Sequence, residues 1–172
     1  MKKIFNLLIL VFICQSVYSQ TSSSENDSID ICFEIVTPKE CSLNASQRDE
    51  IKSKLNLLLA RTGTAGAVAQ TPFVIVPDIK LTDKNNSGGT LQQMTFIEGE
   101  LTLIVRNRYD GISYNELTLP LKGLAETKKE LDPIMLLINN INIKDRRLTR
   151  FIRLSCDRIV SYYSGRTVEV PQ

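Results

Sequence analysis

The amino-acid sequence predicts an α+β fold, a two-layer sandwich whose largely antiparallel sheet of about four strands carries helices on one face. Three observations predict it. Hydrophobic spacing alternates between period two and helical period in the order β-α-β-β-β-α-α. The stretch 101–121, LTLIVRNRYDGISYNELTLPL, reads as a leucine-rich hairpin. After Gly123 the spacing turns helical and stays so to Tyr163. Runs of strands followed by runs of helices make a sheet with one buried side.

Ile31 to Val36 is the first strand, with Ile31, Phe33 and Ile35 on one face. A break follows at Pro38-Lys39-Glu40. The first helix starts near Ser46, whose hydroxyl can cap it with Asp49 three residues on. Ile51, Leu55, Leu58 and Leu59 form its buried stripe, and Gly63 stops it. Residues 64–71 read as a loop. Phe73 to Leu81 is the second strand, with Phe73, Ile75, Ile79 and Leu81 inward. Pro77 inside it marks an edge or a bulge, because proline cannot donate to a ladder. Asp83 to Thr90, DKNNSGGT, reads as a mobile connection.

Parity fixes the hairpin. Leu101, Leu103 and Val105 must share a face with Leu117, Leu119 and Leu121, since a strand's side chains alternate. A two-residue Asp110-Gly111 turn sets Leu103 against Thr118, a mismatch. A three-residue loop, Tyr109-Asp110-Gly111, sets Leu103 against Leu117 and Leu101 against Leu119. It also puts Gly111 where a left-handed residue is wanted. The other face, with Thr102, Ile104, Arg106, Glu116 and Thr118, is mostly wet. A short helix over Leu124–Leu131 follows. Asp132-Pro133 then restarts a helix through Ile141, as a cap and a proline at the first helical position. The last helix runs from about Asp145 to Tyr163. Leu148, Ile152, Ile159 and Tyr163 line one side, with Phe151, Cys156 and Tyr162 beside them, and Arg146, Arg150 and Arg153 fall opposite.

Residues 1–19 read as a secretory signal: Lys2 and Lys3, an apolar run from Ile4 to Cys14, then small residues before a cut at Gln20. That run is short of the roughly 18 residues a membrane span needs. Lipidation would fall on Cys14, but Ile13 is bulkier than a lipoprotein signal has there. Residues 20–29 form a flexible leader, 30–164 a single α+β domain, and 165–172 a loose tail. Losing Lys2 and Lys3 from 21 basic groups levels them with the 19 acidic ones. A neutral chain argues against nucleic acid, whose binding rests on a clustered basic surface.

The exported chain keeps Cys32, Cys41 and Cys156. Cys32 and Cys41 can be bridged if the chain turns at Pro38, leaving Cys156 single; three buried thiols is the equal alternative. Asp27-Ser28-Ile29 matches an O-glycosylation pattern at Ser28. The tripeptides at Asn26, Asn44 and Asn85 that match the N-glycosylation pattern read as chance.

No histidine occurs, which removes the usual general base and the commonest metal ligand. No phosphate loop or zinc-type cysteine pair is present, and neither a cofactor nor a metal is expected. Glu98 and Glu100 share a strand side but read as a solvated face rather than a hydrolytic pair. One feature stands out. Between Lys144 and Arg166 seven basic residues face only Asp145 and Asp157. Either this is the solvated side of an amphipathic helix, or Arg146, Arg150 and Arg153 dock an acidic protein or an anionic envelope component.

The signal, the phrase TPFVIVPDIKLTDK before a long hairpin, the turn Leu121-Lys122-Gly123 and the terminal IVSYY helix resemble small exported proteins of unknown function from Gram-negative anaerobes. More distantly the chain is similar to periplasmic domains of the TolB amino-terminal type and to activator lipoproteins of penicillin-binding proteins. The likeness covers about residues 30–164 and its motifs are structural. It has no catalytic residues to carry over, and the first reading is a non-enzymatic exported domain, periplasmic or at the surface, that binds a protein or envelope component as an assembly or surface subunit. The alternative is a small secreted enzyme or enzyme inhibitor, which needs a concave pocket with converging polar groups.

Overall fold

The computed structural model describes residues 31–38, 43–66, 71–88, 93–126 and 132–165. The signal, the leader with Ser28, Cys41 and the tail lie outside these residues. The order is β1 (Phe33–Ile35), α1 (Ala45–Thr62), β2 (Phe73–Gly88), β3 (Gln93–Asn107), β4 (Ser113–Glu126), α2 (Pro133–Asn139) and α3 (Arg146–Ser164). The four strands lie side by side in chain order. β1 runs parallel to β2, and the other two pairings are antiparallel. The helices cover one face, making the two-layer α+β arrangement that the periodicities predict.

The hairpin holds the core. Leu103 pairs with Leu117 and Leu101 with Leu119, as parity requires. Leu101, Leu103 and Val105 are fully buried beside Phe33, Ile35, Ile75 and Ile79, and against Leu55 and Leu58 of α1 and Leu148 and Ile152 of α3. Truncating one such leucine to alanine costs about 2–5 kcal/mol. The turn differs from the three-residue loop in its detail. Asn107 N donates to Ile112 O at 2.8 Å, so four residues, Arg108 to Gly111, form the loop. A bulge at Tyr114 absorbs the extra residue and restores the leucine register. Gly111 has φ 73°, the left-handed conformation anticipated for it.

Pro77 sits where the sheet tolerates it. Ile75 O accepts from Val36 N, so the odd-numbered backbone groups of β2 point towards β1. β1 ends at Ile35, and Pro77 lies beyond its reach. The missing N–H therefore faces no strand, and β2 is an edge there. β1 itself is held on both sides, because Phe33 N donates to Thr64 O and Gly66 N to Phe33 O. The segment after α1 thus adds a bridge where a plain loop was expected.

Three further expectations are corrected. α1 is capped by Asn44, whose side chain accepts from Gln47 N while the Gln47 side chain accepts from Asn44 N, so the helix starts before Ser46. β2 does not stop at Leu81. A bulge between Leu81 and Asp83 shifts the register, and the strand continues to Gly88 against β3, including much of the polar run taken for a connection. Leu81, expected inward, is 43% exposed. β4 likewise runs on to Glu126, where Leu124 faces Phe96, so residues 124–126 are strand and not helix. In both places an adjacent strand's backbone overrides weak local preference.

α2 begins at Asp132 and Pro133 as predicted and ends at Asn139. Its close approach to the ribbon depends on two glycines. A Cβ on Gly99 would lie 2.5 Å from Leu137 Cδ1, and one on Gly123 would lie 2.8 Å from Leu136 Cδ2.

Candidate functional site

α3 is amphipathic by construction. Asp145 caps it, accepting from Arg147 N at 2.8 Å. Leu148, Phe151, Ile152, Ser155 and Ile159 are buried, and Arg146, Arg150 and Arg153 are exposed on the far side. Tyr163, expected inside, is half out and bonds through its hydroxyl. The basic residues of this helix divide by what they touch. The Arg147 guanidinium grips both carboxylate oxygens of Asp145, which holds that carboxyl below its usual range. Arg158 reaches back to Tyr114 O and Asn115 Oδ1, at 3.1 and 2.7 Å. Among the described residues the ion pairs are Arg108–Glu34, Lys122–Glu98 and Arg147–Asp145. Arg146, Arg150 and Arg153 take part in none.

Of the two acidic candidates, Glu98 is occupied. Glu98 accepts from Lys122 Nζ at 2.8 Å on the open sheet face, and Glu100 lies opposite Pro120. Cys32 and Cys156 carry free, half-buried thiols. Burial, and then Asp157, push the Cys156 thiol up, which lowers its thiolate fraction and slows its reactions. Asn44 spends its side chain on the helix cap, and Asn85 donates to Asp83. No cluster of three metal-ligating side chains occurs among the described residues, and no helix there is long and apolar enough to cross a membrane.

Two hollows flank α3. One, of about 150 Å³, lies between Leu119–Lys122 of β4 and the Asn140–Asn142 turn. The other, of about 400 Å³, opens between the last turn of α1 and α3, with Arg61 and Arg153 on its walls. Arg61 was not singled out by sequence. Its only local signal is a basic residue in a helix's last turn, and packing of α1 on α3 brings it beside Arg153.

No family model matches the chain, and no curated protein matches it by sequence. Among solved structures, a minor lipoprotein from Acinetobacter baumannii superposes with a TM-score of 0.39 at 12% identity, over 77% of this chain and 87% of that one. A DUF330 protein from Xanthomonas campestris gives 0.41 at 11% identity, over 69% of this chain and 66% of that one. The likeness to the TolB type is not shown by these structures, and neither hands a role to this chain.

Proposed function

We propose that this chain is an exported, non-enzymatic domain of the bacterial envelope, periplasmic or at the surface, that docks an acidic protein or anionic envelope component through Arg146, Arg150 and Arg153. One observation carries the reading: these three guanidiniums project from one helix with no carboxylate partner among the described residues, while their neighbours Arg147 and Arg158 are tied down. Unpaired arginines offer forked donors suited to carboxylate and phosphate. The signal-like start supports export, and the even balance of charge left once Lys2 and Lys3 are removed with it makes the patch local rather than general. Replacing Arg146, Arg150 and Arg153 with glutamate tests it. Partners recovered by crosslinking in the native envelope are then lost; unchanged recovery overturns the proposal.

A further inference from the structure

The cleft between α1 and α3 is a second feature, separate from the docking reading although Arg153 borders both. At about 400 Å³ it is the size of a small-molecule site. Its floor is Ile152, fully buried, and the half-buried, uncharged Cys156. Its polar rim is short of hydroxyl donors. The Thr62 hydroxyl hydrogen goes to the carbonyls of Leu58 and Leu59, at 3.2 and 3.1 Å. Thr62 Oγ1 therefore accepts the Thr64 hydroxyl at 2.8 Å, and both hydrogens are spent. The donors left over are Thr149 and the guanidiniums of Arg61 and Arg153, neither of which is in an ion pair among the described residues. Arg61 suits the carbonyl end of α1 by itself, but that gives no reason for Arg153 to share the opening. Arg153 brings a second guanidinium to the same opening, and two cationic donors there suit an anion.

We propose that this cleft binds an organic anion, a carboxylate or phosphate held by Arg61 and Arg153 on an apolar body lying over Ile152 and Cys156. The full chain is alkylated with iodoacetamide, and the rate at Cys156 is read by peptide mass mapping. Octanoate and octyl phosphate are the probes, with octanol and octylammonium as the uncharged and cationic controls. We expect at least one anion to slow Cys156 alkylation about fivefold or more while neither control does so. Protection by one anion and not the other tells carboxylate from phosphate. Equal protection by octanol, or none by any probe, overturns the inference. Arg61→Gln weakens protection roughly tenfold, and Arg61→Lys restores part of it. Wild-type affinity in Arg61→Gln also overturns it. Arg61→Gln leaves envelope partners in place, whereas Arg146→Glu with Arg150→Glu removes them and spares the cleft, so either reading can fail alone.

Discussion

The phenol oxygens of Tyr114 and Tyr163 stand 3.1 Å apart, joining the bulge of β4 to the last turn of α3. Asn107 Nδ2 donates to Tyr163 at 3.2 Å and to Asp110 at the same distance, so the hairpin loop is tied into the same contact. Phe73 and Tyr162 pack edge-on against Tyr114, with ring centroids 5.6 and 5.4 Å away. The one-residue bulge that repairs the ribbon's register is thus also what turns Tyr114 into this cluster.

Burial first, and then the bond to Tyr163, push the Tyr114 phenol up to about 12. The folded state holds this proton more tightly than the unfolded one, whose phenol loses it near 10. The stabilisation is therefore complete below pH 10 and is lost as pH rises through 12. Urea midpoints measured from pH 8 upwards should fall at the alkaline end, and Tyr114→Phe should flatten that fall. An equally steep loss in the phenylalanine variant would remove Tyr114 as its source.

Gly99 and Gly123 should respond differently to alanine. At Gly99 the new Cβ would meet Leu137 Cδ1 and also Lys80 O at 2.6 Å, and a backbone carbonyl in a central ladder cannot step aside. At Gly123 the near atoms belong to the Leu136 side chain, which is only partly buried. Gly99→Ala should cost about 2–3 kcal/mol, and Gly123→Ala about 1 kcal/mol or less, by denaturant unfolding. Equal costs would mean that α2, rather than β2, sets the spacing.

The hairpin register and the core stripe of α1 were legible because a period-two ribbon over a buried face has one consistent pairing, which Leu101 and Leu119 satisfy. Polar strand extensions were not. Asp83 to Gly88 carries no apolar alternation, and only the facing Gln93–Glu98 segment makes it a strand. The basic face of α3 could be read from spacing alone. That Arg147 and Arg158 are spent locally could not, because Asn115 and Arg158 meet only once β4 lies under α3. Arg61 was hidden for the same reason. Its neighbour Arg153 is remote in sequence, and helix packing rather than pattern joins them.

Gln47 links two helix starts. Its side-chain oxygen caps Asn44 N at 2.8 Å, and its amide nitrogen donates to both oxygens of Asp132, the cap of α2, at 3.0 and 2.8 Å. Asn44→Ala should cost about 1 kcal/mol as a lost cap. Asp132→Ala and Gln47→Ala should each cost more than a cap alone, and a double-mutant cycle should return a coupling of about 1 kcal/mol. Additive losses would show that the two caps act independently.

The division of arginines on α3 gives the last prediction, and it decides whether charge reversal there reports on docking or on folding. Arg158 supplies the bond to Asn115 Oδ1, and the Asn115 amide nitrogen donates to Ser155 Oγ at 3.0 Å; both of those residues are buried. Removing the guanidinium leaves Asn115 Oδ1 with the weaker of its two partners, Glu116 N at 3.1 Å. Arg158→Gln should therefore cost about 1–2 kcal/mol. Arg146→Gln and Arg150→Gln touch no such network and should stay within about 0.5 kcal/mol of the parent chain. Matching losses at all three positions, measured by urea unfolding, would make the exposed arginines structural and strip the face of its claim to a partner.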